Sequence, residues 1–164
     1  MIRLFVMDVD GTLTDGGVSF DVSGTEAKRY HIQDGMGIKL LQARGVRVAF
    51  LSGRHSDSTS ARARDLGVDL CVQGVSSKLP VLVSWAEEMG ISSRQVAYMG
   101  DDLPDLECLR WCGFGVVPCD GRPEALREAD YVTPSRAGFG AVRDACDRII
   151  LMNLREGEGR HQGL

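Results

Sequence analysis

Two aspartates two residues apart, Asp8 and Asp10, close the first apolar run of the chain and open the heptapeptide Asp8-Val9-Asp10-Gly11-Thr12-Leu13-Thr14. Residues two apart on an extended strand share a face, so both carboxylates can point into the opening beyond the strand, where Gly11 lets the backbone turn tightly. Two carboxylates so close repel unless a proton or a cation intervenes. A second acidic group, Gly100-Asp101-Asp102-Leu103-Pro104-Asp105, follows the apolar run 95–99. Asp102 could cap the next helix, with Pro104 in its first turn. Carboxylates gathered at two strand ends nevertheless make a poor cluster without a metal, and hard oxygen ligands with room for waters and phosphate suit Mg²⁺.

Two further run ends supply what an anionic substrate requires. Leu51-Ser52-Gly53-Arg54 offers a hydroxyl, open backbone N–H groups around Gly53 and a guanidinium suited to bidentate anion binding. The segment 73–78 ends in Lys78 at the start of a helix, where the macrodipole does not favour a cation, so the ammonium is better placed as an anion ligand. Ser52 alone could be a cap and Lys78 alone a solvated charge. The order carboxylates, hydroxyl, lysine, carboxylates along four run ends is far more specific than any single member.

These residues need a frame. Apolar, β-branched-rich runs bounded by turn residues predict buried strands at 2–7, 46–51, 69–72, 95–99, 114–117 and 131–132. Helical patterns lie between and after them at 37–44, 57–66, 79–89, 103–111, 123–128 and 141–154. Such alternation implies an α/β fold, a doubly wound parallel sheet with helices on both faces and ligands at the carboxyl ends of the strands. Residues 16–31 break the alternation and read as an inserted β-hairpin turning at Ser23-Gly24. Residues 1–154 form one domain on this reading, and the Gly- and charge-rich segment 155–164 is expected to be a mobile tail.

Composition sets the outer limits. A chain of 164 residues suits one domain, and 43% hydrophobic with 26% charged residues is ordinary globular composition. No run approaches the roughly 18 apolar residues needed to span a bilayer, which argues against a membrane protein. The opening apolar stretch is too short for a signal peptide, so a cytoplasmic location is expected. The five cysteines lack metal-ligand pairing and are expected to be reduced thiols. A net charge of −4 without a basic run argues against a nucleic-acid partner and leaves a small anionic substrate.

Asp8-Val9-Asp10-Gly11-Thr12, Ser52, Lys78 and Gly100-Asp101-Asp102 with Asp105 resemble the four ordered motifs of the haloacid dehalogenase superfamily of phosphotransferases, over residues 1 to 150. Within it the chain is most similar to the small sugar-acid phosphatases, especially those acting on 3-deoxy-D-manno-octulosonate 8-phosphate, and to the phosphatase-like domain of acylneuraminate cytidylyltransferases. The 16–31 hairpin, Asp34-Gly35-Met36-Gly37-Ile38, Gln73-Gly74-Val75-Ser76-Ser77-Lys78 and Gly138-Phe139-Gly140-Ala141-Val142-Arg143 carry that closer likeness.

The resemblance implies that Asp8 is the nucleophile, that Asp10 is the general acid and base, and that Ser52 and Lys78 hold the phosphoryl oxygens. Mg²⁺ would bind Asp8, the main-chain carbonyl of Asp10 and Asp101, with Asp102 and Asp105 behind them. His31, Ile32, Gln33, Asp34, Gly35, Gly53, Arg54, Arg62 and Lys78 are the implied substrate contacts, with Lys39 a further candidate. The octulosonate phosphatases usually carry Arg-Asp-Gly where this chain has Gln33-Asp34-Gly35, and losing that charge widens the expected substrates to a nonulosonate 9-phosphate. The gaps between motifs have no room for a cap domain, so the open site calls for a neighbouring subunit, and the resemblance implies a homotetramer with its hairpins packed together. Two alternatives stand beside this reading. One is a phosphorylated receiver domain, whose acidic residues would be ordered differently; the other is a catalytically silent oligomerisation domain.

Overall fold

The computed structural model describes residues 1–161. In chain order the elements are strand β1 (Leu4–Met7), β2 (Ser19–Phe20), β3 (Glu26–Ala27), helix α1 (Ile32–Gln42), β4 (Arg47–Leu51), α2 (Asp57–Leu66), β5 (Leu70–Val72), α3 (Leu79–Glu88), β6 (Val96–Met99), α4 (Leu106–Trp111), β7 (Phe114–Pro118), α5 (Pro123–Arg127), β8 (Tyr131–Thr133) and α6 (Ala141–His161). Apart from β2 and β3, the strands form one parallel sheet in the order β5-β4-β1-β6-β7-β8.

Burial on both faces explains why the apolar runs become strands. In β1, Phe5 and Met7 pack with Ile38 and Leu41 of α1, Ala63 of α2 and Val142, Ala145 and Ile149 of α6. Leu4 and Val6, on the opposite pleat, pack with Leu82 and Trp85 of α3, Leu109 of α4 and Ala125 of α5. Such two-sided burial is what continuous rather than alternating hydrophobic runs encode. The chain works outward from β1 through β4 to β5, then crosses to β6 on the other side of β1, so β1, β4 and β6 end side by side. Crevices at such reversals of strand order are where α/β sheets bind ligands. Among the described residues no cap domain covers this edge, and no helix is long and apolar enough to cross a membrane.

Four expectations change. Helix α1 begins at Ile32, earlier than the expected 37, and takes in Gly35 and Gly37, which serve close packing. A Cβ on Gly35 would come within 2.6 Å of Arg62 Nη2, and one on Gly37 within 3.1 Å of Arg143 Cα. The hairpin exists, but its paired strands shrink to two residues each, joined by a turn in which Asp21 Oδ1 accepts from the amides of Ser23 and Thr25. The helix expected over 103–111 opens as a 3₁₀ turn, Leu103–Asp105. Helix α6 continues through 155–161, where a tail was expected, and Glu156 pairs with the amino group of Met1; residues 162–164 lie outside the described residues.

Candidate active site

The carboxyl ends of β1, β4 and β6 and the start of α3 enclose a cleft of about 260 Å³ lined by Asp8, Asp10, Ser52, Gly53, Arg54 and Lys78 with Asp101, Asp102, Pro104 and Asp105. The β1 ladder runs on one residue, Asp8 N–H donating to Met99 O at 2.9 Å, and the chain then coils, with Leu13 N–H donating back to Val9 O at 2.9 Å. That coil needs Gly11 twice over: its φ is +82°, and a Cβ there would lie 2.3 Å from Asp101 Oδ2. The Thr12 hydroxyl donates to Asp101 Oδ1 at 3.0 Å, so the β1 loop itself sets the position of the β6 carboxylate.

Lys78 joins the two halves. Its Nζ lies 2.8 Å from Asp8 Oδ1 and 2.7 Å from Asp105 Oδ1, with the side chain 4% exposed. Asp105 is itself fully engaged. Oδ1 also accepts from Tyr98 OH at 2.6 Å, while Oδ2 accepts from the amides of Asp101 at 3.0 Å and Asp102 at 3.2 Å. Ser52 is buried, with its Oγ accepting from Arg54 N–H at 3.2 Å, which leaves the hydroxyl proton for the cleft.

One oxygen from each of Asp8, Asp101 and Asp105 lies within 4.8 Å of the other two. Burial, then the Asp105 charge, pushes the Asp8 carboxyl up to about 6 against the pull of Lys78. Burial, then the charges of Asp8 and Asp105, pushes Asp101 up to about 8. Every lone pair of Asp105 is occupied, so Asp8 and Asp101 are the carboxylates that gain from a cation. An all-oxygen donor set at an open cleft fits Mg²⁺.

The expected substrate contacts divide. Gly53, Arg54 and Lys78 line the cleft, whereas His31, Ile32, Gln33, Asp34, Gly35 and Arg62 do not. His31 caps α1, its Nδ1 accepting from Gln33 N–H at 3.2 Å. Ile32 is 85% exposed. Asp34 is buried, and its Oδ1 accepts from Arg143 N–H at 2.8 Å in the first turn of α6. Arg62 ties down the start of α1 by donating to His31 O at 3.2 Å. Lys39 sits on the exposed side of α1 and reaches Asp65 O.

Sequence reasoning missed Lys28, whose Nζ lies 2.7 Å from Asp10 Oδ1. It missed Tyr98 as well, hidden in an apolar strand. For Asp105 a signal existed: Asp102 and Asp105 form a capping box across the 3₁₀ turn, a spacing readable as Asp-x-x-Asp.

The sequence pattern of haloacid dehalogenase-like hydrolases matches residues 72–145. The 3-deoxy-D-manno-octulosonate 8-phosphate phosphatase of Escherichia coli K12 is 36% identical over 163 residues, covering 99% of this chain and 87% of that protein. The Moraxella catarrhalis enzyme of the same name, crystallised with magnesium, phosphate and KDO, is 41% identical and superimposes with a TM-score of 0.89 over 91% of this chain and 86% of that one. The cobalt-bound Haemophilus influenzae phosphatase is 35% identical, with a TM-score of 0.87 over 92% of this chain and 88% of that one.

Proposed function

The chain belongs to the 3-deoxy-D-manno-octulosonate 8-phosphate phosphatase family of haloacid dehalogenase-like hydrolases and is a phosphatase, and we propose that it acts in the cytoplasm on a 2-keto-3-deoxy sugar-acid phosphate, 3-deoxy-D-manno-octulosonate 8-phosphate before a nonulosonate 9-phosphate. The observation that carries the reading is Lys78. A buried ammonium 2.8 Å from the Asp8 carboxylate, at a cleft shared with Ser52 and Gly53, favours the charged form of that carboxylate and sets a cation where a phosphoryl oxygen must lie.

In this mechanism an Asp8 oxygen attacks phosphorus while the bond from phosphorus to the sugar oxygen breaks, leaving an aspartyl-phosphate. Asp10 gives its proton to the departing alkoxide. It then takes a proton from the water that attacks the aspartyl-phosphate, which releases inorganic phosphate and restores Asp8. Ser52 Oγ, the Gly53 amide and Lys78 hold the equatorial oxygens through both steps. Asp8, the main-chain carbonyl of Asp10 and Asp101 would hold Mg²⁺, which when bound supplies charge neutralisation between an anionic nucleophile and an anionic substrate.

Arg54, its side chain 50% exposed at the rim, meets the substrate's carboxylate. His31, Ile32 and Gln33 face outward at the start of α1 and contribute to a neighbour's cleft in a homotetramer, with Asp34, Gly35 and Arg62 holding that turn in place. The exposed apolar side chains of Phe20, Val22 and Ile32 favour such self-association over a monomer.

The test is Mg²⁺-dependent phosphate release from 3-deoxy-D-manno-octulosonate 8-phosphate, a nonulosonate 9-phosphate and p-nitrophenyl phosphate. The octulosonate ester is expected to give the highest kcat/KM. Preference for a phosphate ester lacking a carboxylate would overturn the substrate class.

A further inference from the structure

We infer that Lys28, on the hairpin, is a positioning residue for the reaction: it pins the Asp10 carboxylate at the edge of the cleft. The inference rests on Asp10 being the acid and base.

Its chain neighbours Ala27 and Arg29 are exposed, and the alternation of an extended segment turns Lys28 the other way, inward. Its side chain is 0% exposed, with Nζ 2.7 Å from Asp10 Oδ1 and 3.4 Å from Glu26 Oε1. Nζ also donates to Thr59 Oγ1 on α2 at 3.5 Å. Burying an ammonium against carboxylates forfeits hydration that an apolar residue would not, so stability alone gives weak reason for a lysine here. Something must depend on where the charge sits.

Asp10 supplies that dependence. Both of its oxygens are buried, and among the described residues the group that meets them is the Lys28 ammonium, an ion pair at 2.7 Å. The carboxylate is therefore held in place by charge. An acid must lie within hydrogen-bond reach of the leaving oxygen, and a misplacement of about 1 Å can cost about 100-fold in rate. Glu26 anchors the lysine from behind and pairs in turn with Arg54 Nη2 at 2.7 Å. An alternating series Arg54, Glu26, Lys28, Asp10 thus ties the loop after β4 to the loop after β1 through the hairpin. The hairpin, on this account, contributes to the chemistry within its own chain as well as to assembly.

The experiment compares Lys28→Met with wild type, in the intact Mg²⁺-loaded protein, on 3-deoxy-D-manno-octulosonate 8-phosphate and on p-nitrophenyl phosphate, whose leaving group needs little protonation. Loss of kcat by about 10- to 100-fold on the sugar phosphate is expected, with KM within about twofold and the aryl ester within about threefold of wild type. In an Asp10→Asn background the same substitution should cost no further factor on the sugar phosphate, because coupled residues are not additive. If Lys28→Met does not fold, Lys28→Gln, which keeps a polar donor between the carboxylates, is read the same way. Equal losses on both esters, or losses that multiply with those of Asp10→Asn, would overturn the positioning role. Equal losses for Asp10→Asn alone would instead overturn the acid assignment beneath it.

Discussion

Replacing Asp105 with asparagine separates a structural carboxylate from a metal ligand. Asp105 is 1% exposed, and its oxygens accept from Lys78, Tyr98 and two main-chain amides. Asparagine keeps the shape and exchanges one oxygen for an NH₂. Turned one way, that NH₂ faces the amides of Asp101 and Asp102, which can only donate, and two hydrogen bonds are lost. Turned the other way it faces the Lys78 ammonium, and that bond is lost while the Tyr98 hydroxyl can turn to accept. In both cases Lys78 keeps Asp8 as its charged partner. Removing one member of a buried ion pair costs about 3–5 kcal/mol. In a domain of this size about 1 kcal/mol moves Tm by about 2–4 °C, so Asp105→Asn should melt about 10 °C below wild type. The decisive comparison is thermal unfolding with Mg²⁺ and with EDTA. A structural carboxylate gives the same decrement in both, whereas a ligand's loss shows only with Mg²⁺. A variant melting within about 2 °C of wild type in EDTA would refute the fully occupied Asp105 described here, and with it the reason for leaving it out of the metal site.

Asp8→Asn should abolish phosphate release while the variant remains folded by circular dichroism, since an amide cannot attack phosphorus; a few per cent of residual turnover would contradict the assignment. Metal-free protein should lose stability as pH rises from about 5 to 8. The carboxyls of Asp8 and Asp101, raised to about 6 and 8, hold protons in the folded state that the unfolded chain has already released. Mg²⁺ should remove most of that slope in Tm, and a flat metal-free profile would count against the cluster. Replacing Val18 and Phe20 by lysine should dissociate the assembly by light scattering and lower activity on sugar-acid phosphates more than on p-nitrophenyl phosphate; a fully active wild-type monomer would sink the shared-site reading.

The strands and the chemistry at their ends were legible for one reason: two-sided burial writes unbroken apolar runs, and the polar residues that stop them fall at the sheet's carboxyl edge. Asp8, Ser52 and Asp101 follow from that rule, Lys78 from its place at the start of a helix, and the structure gathers them in one cleft. The rule says nothing about what a side chain touches across the fold. Tyr98 reads as strand filler, and only the pleat shows that its hydroxyl reaches Asp105. Gly35 and Gly37 hid the earlier helix start because glycine's two uses, positive φ and close approach, look alike in a sequence. Here it is close approach to Arg62 and Arg143, which moved the start of α1 and took Asp34 into the core. Lys28 left no signal, since a lysine on a short polar hairpin belongs by default in water.

The charges around the cleft do not balance. Four carboxylates that are buried or half-buried, Asp8, Asp10, Asp101 and Asp105, face two ammonium groups, those of Lys28 and Lys78. Lys28 serves Asp10, Lys78 serves Asp105 and half-serves Asp8, and Asp101, which accepts from the Thr12 hydroxyl, has no cationic partner among the described residues. The excess falls on Asp8 and Asp101, the two whose carboxyls are pushed up to about 6 and about 8. On the proposed mechanism a divalent cation would do better than protons there, because a proton neutralises one carboxylate and blocks it, while Mg²⁺ would neutralise both and leave Asp8 an oxygen with which to attack. The fold can tolerate such a cluster because Lys78, fixed by Asp105 and Tyr98 beneath it, already offsets part of the repulsion before any metal or phosphate arrives.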